Sequence, residues 1–135
     1  MDPATTREKA QIVLNALGSP DAELSLVIVD DDEIATLNRQ YLNRQGPTNV
    51  IAFPMQEGEF SGVSPGLLGD VVISADTARR EALMGDMPAR RRFDELMVHG
   101  ILHLLGYDHE NDEEQARAME AKSAELMALL AGLES

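Results

Sequence analysis

The stretch from Phe93 to Leu105 constrains this chain more than any other. Phe93, Leu96, Met97, Val98, Ile101, Leu102, Leu104 and Leu105 surround a helix nearly all the way round. A helix that is apolar on every side is a buried one. The pattern therefore predicts a central helix over Ala89 to Leu105, with the other elements packed around it. That helix also carries His99 and His103, whose imidazoles are costly to bury unless paired or metallated.

All three histidines of the chain fall in HGILHLLGYDH, residues 99–109. Two histidines four apart project from one helix face, roughly 5–6 Å apart at Cβ, so both can reach one ion. Gly106 can turn left-handed and end the helix. The chain can then double back and offer His109 as a third nitrogen. Three protein nitrogens with an open fourth position make a catalytic zinc site, whereas structural sites close with four ligands. The chain has no cysteine, and a three-imidazole set suits one zinc ion per chain, with nickel, cobalt or copper as other options.

A length of 135 residues fits one domain, residues 1–135, large enough to bury a real core. The absence of cysteine excludes disulfides and agrees with a reducing cytosol. No apolar run approaches the length of a membrane span, and the N-terminus MDPATTREKAQ does not resemble a signal peptide. These features predict a cytoplasmic protein with no membrane partner.

The net charge of −13 is unevenly spread. Residues 1–38 carry eight acids against two bases and residues 93–135 ten against two, while residues 39–92 carry seven arginines against six acids. Such a balance opposes non-specific nucleic-acid binding, which depends on neutralising phosphate. A local basic cleft remains possible, built from the middle segment; the alternative is that those arginines form solvated, ion-paired helix faces.

Along the chain, Thr5-Thr6-Arg7-Glu8 reads as a capping box opening a first helix, which Gly18-Ser19-Pro20 stops. Leu24–Val29 reads as a buried strand. Asp30-Asp31-Asp32 caps a second helix, with Ile34, Leu37 and Tyr41 on one face, ending near Asn43. Asn49–Phe53 is a second strand, placed at an edge by Pro54. Residues 56–66 form a loop. Leu67–Ser74 is a third strand with a bulge or close approach at Gly69, and a helix over Asp76–Met84 follows. The last helix runs from an Asn111 cap to about Leu130, with Ala116, Met119, Ser123, Leu126 and Leu130 on one face. One layer of about five helices against three or four strands results.

The spacing HxxxHxxGxxH is that of metzincin zinc proteases, whose second position is a glutamate base. Here it is Gly100, which cannot take a proton. Asp108, beside His109, is the nearest candidate for a replacement base or for a group that orients His109. It is equally suited to fixing the turn or capping the last helix.

HGILHLLGYDH resembles the signature of the YbeY family of single-zinc bacterial endoribonucleases. Pro47-Thr48-Asn49-Val50-Ile51-Ala52-Phe53-Pro54 is similar to that family's PT[DN]VLSFP, and Leu68–Ser74 to its LGDIxIS. Leu37-Asn38 and Tyr41 match its LNxxYR segment. The resemblance implies an α+β, zincin-like domain with a small mixed sheet, and zinc ligands at His99, His103 and His109. It implies cleavage of single-stranded RNA in rRNA maturation, notably at the 16S 3′ end, and in ribosome quality control. The partner would be the small subunit or an associated protein. The family arginine that follows the tyrosine aligns with Leu42, so Arg44 or Arg39 would have to bring a guanidinium to the cleft. Attack by water or by the ribose 2′-OH both remain open. Two other readings compete: another zinc hydrolase, a metzincin-like peptidase or small-molecule amidase, and a non-catalytic ribosome-assembly factor with a structural zinc. The oligomeric state is not indicated.

Overall fold

The computed structural model describes residues 3–55, 67–107 and 113–132. The elements follow in the order α1 (Pro3–Ala16), β1 (Glu23–Val29), α2 (Asp31–Leu42), β2 (Val50–Pro54), β3 (Leu67–Ser74), α3 (Ala75–Met84), α4 (Ala89–Leu104) and α5 (Glu113–Gly132). Among the described residues the sheet has three strands in the order β1-β3-β2, β1 parallel and β2 antiparallel to β3. This is the small mixed sheet with five helices that the sequence predicts.

The side-chain alternation of β3 divides the molecule. Val71 and Ile73 face the main core, which is shared by α1, α4 and α5 through Val13, Leu14, Phe93, Ile101, Met119 and Leu126. Val72 faces the other way, into a smaller cluster with Ile34 of α2 and Ile51 of β2. A strand presents successive residues to opposite faces, so this central strand, apolar on both, is covered on both.

Local signals set the element ends. The Asp30 carboxylate accepts from the backbone N–H of Glu33 at 2.8 Å, capping α2, and Asn43 closes that helix in the left-handed conformation at φ 54°. The α1 helix begins at Pro3, ahead of the capping box expected at Thr5; proline suits the first helical turn because its missing N–H would have no partner there. Pro54 lies on β2, an edge strand as expected. The loop over 56–66 and the Asn111 cap lie outside the described residues.

Charged side chains tie the layers together. Lys9 of α1 and Asp94 of α4 pair inside the protein, Nζ to Oδ2 at 2.9 Å, with side-chain exposures of 9% and 10%. At the junction of α2 and α3 the Asp31 carboxylate accepts from Ser74 Oγ at 2.6 Å, Thr77 Oγ1 at 2.6 Å and Arg80 Nη1 at 2.7 Å. These donors, Ser74 foremost, hold the Asp31 pKa down at about 2, because each stabilises the ionised form.

Candidate active site

The central helix α4 is buried at Phe93, Leu96, Met97, Val98, Gly100, Ile101, Leu102 and Leu104. It is not apolar on every side, however. Arg92, Glu95, His99 and His103 are each only partly buried, and their spacing of three, four and four places them on one stripe. The sequence pattern overestimated the enclosure because the two histidines belong to a partly exposed polar stripe. Their partial exposure reduces the cost of burying two imidazoles and leaves them accessible to solvent.

On that stripe the histidine rings meet at a centroid separation of 4.6 Å and an interplanar angle of 69°. His99 Nε2 lies 3.1 Å from His103 Nε2. Two nitrogens about 2.0–2.1 Å from one tetrahedral ion stand about 3.3–3.4 Å apart, so the pair needs an adjustment of only a few tenths of an ångström to hold a metal. The donor set fits the ion. Among the described residues no group of three or more His, Asp or Glu forms a complete metal cluster. His109 and Asp108 lie outside the described residues.

The turn that follows is built as the glycine predicts. Gly106 sits at φ +99°. The Tyr107 N–H donates to the Leu102 carbonyl at 3.0 Å and the Gly106 N–H to that of His103 at 3.1 Å, the paired bonds of a Schellman motif. It ends α4 one residue past His103 and turns the chain before His109.

Gly100, at the position where a zincin has its glutamate, faces the sheet. A Cβ there would lie 2.5 Å from Val71 Cγ1, so α4 rides directly on β3. A larger side chain has no room, and a glutamate at this point would enter the core. Gly69 does the same service from the strand: at φ +145° its missing Cβ makes way for the Phe53 carbonyl and lies 3.0 Å from Leu104 Cδ2. The register shift between β1 and β3 falls beside it.

These two close approaches orient the helix on the sheet. Gly100 sits over Val71 and Leu104 over Gly69, so the end of α4 reaches the Phe53–Pro54 end of β2, which pairs with Asp70 and Gly69. Tyr41, 66% exposed, packs edge-to-face on Phe53 at 5.4 Å. Leu42, next to it, is 43% exposed. The segment carrying the substituted arginine position is thus at the same end of the sheet as His103.

His99 opens into a cleft of about 940 Å³ between α4 and α5, with Asn49, Arg90, Arg91, Arg92, Glu95 and Glu120 among its walls. This is at the upper end of the roughly 300–1,000 Å³ usual for ligand sites. Neither Arg39 nor Arg44 lines it. Arg39 borders a separate hollow of about 220 Å³ with Thr36 and Gly46, and Arg44 is exposed beyond the end of α2. The arginines that do line the cleft, at 90–92, were visible in the sequence as the start of the central helix. What was missing was their position: three cations in the first turn of a helix oppose its dipole, a local conflict that could have marked them.

The cleft wall is braced. Arg92 Nε donates to Glu81 Oε1 and Arg92 Nη1 to Glu95 Oε1, each at 2.9 Å. Asn49 Nδ2 reaches both Glu81 oxygens at 3.3 Å, so the residue before β2 is joined to α3 and α4 at the mouth.

An α+β domain whose central helix brings two imidazoles together beside an open cleft has an arrangement suited to a hydrolase. Comparison with known proteins makes the assignment specific: the family model of endoribonuclease YbeY matches residues 3–131, and the chain belongs to that family. An endoribonuclease YbeY from Syntrophotalea carbinolica is 60% identical over 125 residues, covering 92% of this chain and 83% of that protein. The endoribonuclease YbeY of Geobacter metallireducens is 54% identical over the same shares. The solution structure of TM1509 from Thermotoga maritima superposes with a TM-score of 0.67 at 26% identity, covering 93% of this chain and 79% of that one.

Proposed function

We propose that residues 1–135 form one domain that cleaves single-stranded RNA with a single zinc ion held by His99, His103 and His109. The observation that carries this reading is the 3.1 Å convergence of His99 and His103 Nε2 on the open stripe of α4, in a chain of the endoribonuclease family. When bound, the ion supplies Lewis acidity at a phosphate oxygen. His99 and His103 hold it at the wall of the cleft, and the packing of Gly100 on Val71 fixes the height of both rings above the sheet. Asp108 is proposed to orient His109. A guanidinium from Arg44 or Arg39, neither of which lines the cleft beside His99, is proposed to reach the phosphate from outside it and stabilise its developing charge.

The cellular context proposed is maturation of rRNA ends, notably the 16S 3′ end, and ribosome quality control in the cytoplasm. Positioning by the small subunit or an associated protein would offset the acidic charge of −13. Among the described residues no helix is long and apolar enough to cross a membrane. The peptidase alternative is disfavoured by Gly100, since the position of the usual base faces Val71 in the core.

His103→Ala should reduce bound zinc from about one per chain to near zero and lower RNA cleavage by at least 100-fold, the scale of losing a metal ligand's contribution. Elemental analysis and cleavage of rRNA fragments, with casein as a control and with and without chelator, test this. Full metal occupancy in the variant rejects the ligand assignment. Zinc retained by the unmodified chain without RNA cleavage favours the assembly factor.

A further inference from the structure

The charged groups around the cleft are not equally committed. The Arg92 side chain is only 26% exposed and is held by Glu81 and Glu95. Asp94 is paired with Lys9. Arg91 is different: its side chain is 63% exposed, and its contact with Glu95 is loose, Nε to Oε2 at 3.9 Å. It lines the same cleft as His99. Eight residues separate Arg91 from His99, about 12 Å along a helix rising about 1.5 Å per residue, a span of a few backbone phosphates.

The placement of Arg91 also runs against the stability of the helix. It is in the first turn of α4, where no acidic residue is present and Pro88 gives no side-chain cap. Cations at this end meet the positive pole of the helix dipole, which is unfavourable. Local rules broken at a cleft are the usual mark of a functional position.

We propose that Arg91 is a positioning residue that binds a phosphate of single-stranded RNA a few nucleotides from the scissile bond, so that the strand runs along α4 from its first turn to the histidines. This rests on the nuclease reading above and adds a phosphate subsite to it. The recognition is by charge and a forked donor, and therefore independent of base sequence.

The test compares Arg91→Glu with Arg79→Glu in the metal-loaded protein. Arg79 is 67% exposed on α3, with a 4.0 Å contact to Asp76, and its reversal changes net charge equally without altering the cleft. Binding of a fluorescent single-stranded oligoribonucleotide is measured across a salt series, and cleavage of the same strand in parallel. Arg91→Glu should weaken binding about tenfold, as for loss of a charge-assisted hydrogen bond. It should also reduce the salt slope by about 0.7, the value for one contact to a single strand. KM should rise with kcat largely kept, and Arg91→Lys should recover most of the affinity. Equal weakening by Arg79→Glu, or an unchanged slope in Arg91→Glu, overturns the subsite. Binding that follows these expectations without any cleavage by the unmodified protein leaves the subsite standing and rejects the nuclease reading. A slope unchanged for RNA, with an acidic peptide bound through Arg91 instead, assigns the residue to a protein partner.

Discussion

The two sides of α4 follow different rules. Toward the sheet, Gly100 lies so close to Val71 that a single methyl group does not fit, and every neighbour from Leu96 to Leu102 on that side is buried. Toward the cleft, Arg92, Glu95, His99 and His103 stand partly in solvent and form a continuous polar stripe. The lesson is a division of labour along one element. Substitutions on the sheet side should change stability and affect activity only through it. Those on the cleft side should change metal or RNA binding in a protein that still folds.

The sharpest way to break this contrast is Gly100→Ala. Helix propensity alone would favour the change by about 0.5–1 kcal/mol. The Cβ would press on Val71 Cγ1 at 2.5 Å, and overpacking of this kind costs about 1–3 kcal/mol. The net expectation is a variant less stable by about 1–2 kcal/mol that still binds one zinc. A melting temperature at or above that of the unmodified protein would show that α4 can lift from β3, and the division would fail.

The charged clusters repeat the contrast. At the α2–α3 junction the acids serve the helix ends: Asp30 caps α2, and Asp31 gathers Ser74, Thr77 and Arg80. At the start of α4 the arginines oppose theirs. The first arrangement has a pH signature. Asp31 titrates near 2 in the folded protein against 3.8 ordinarily. A depressed folded pKa contributes stability above the unfolded value and loses it as pH falls through the folded one. The advantage over Asp31→Asn should therefore be complete at neutral pH and shrink as pH falls from 3.8 toward about 2. The effect is expected to be smaller than that of Gly100→Ala, since the side chain reaches solvent and water screens its pairs. A difference between the two proteins that does not change in acid would mean that these partners do not favour the ionised carboxylate over the protonated one.

What was legible in the sequence follows from the range of the signals. The Asp30 cap, the end of α2 near Asn43, the edge at Pro54 and the glycine turn at Gly106 are each decided within a few residues, and each stands in the structure as expected. The histidine pair was legible because the i, i+4 spacing fixes geometry without knowledge of the fold. The pairing of Lys9 with Asp94, 85 positions apart, was not legible, nor was the reason for glycine at 100, which lies in Val71 on another element. The cleft-lining role of Arg90–Arg92 depends on where α5 packs, and no local pattern encodes that.

Leu42 is where the smallest effect on folding should accompany an informative effect on function. It is the last residue of α2, 43% exposed, and Tyr41 beside it leans on Phe53 at the His103 end of the sheet. A cation at this position would meet the negative end of the helix dipole, which favours it, and its head would reach water rather than a buried site. Leu42→Arg should therefore change stability by no more than about 0.5 kcal/mol, as exposed substitutions do. A guanidinium there would offer phosphate a forked donor. Cleavage of free single-stranded RNA should rise, with the larger gain in KM. A marked loss of melting temperature would show that Leu42 is packed more tightly than its exposure indicates. A folded variant with no gain on any RNA would instead remove the reason for seeking a second guanidinium, and would turn the balance toward a zinc-stabilised assembly factor.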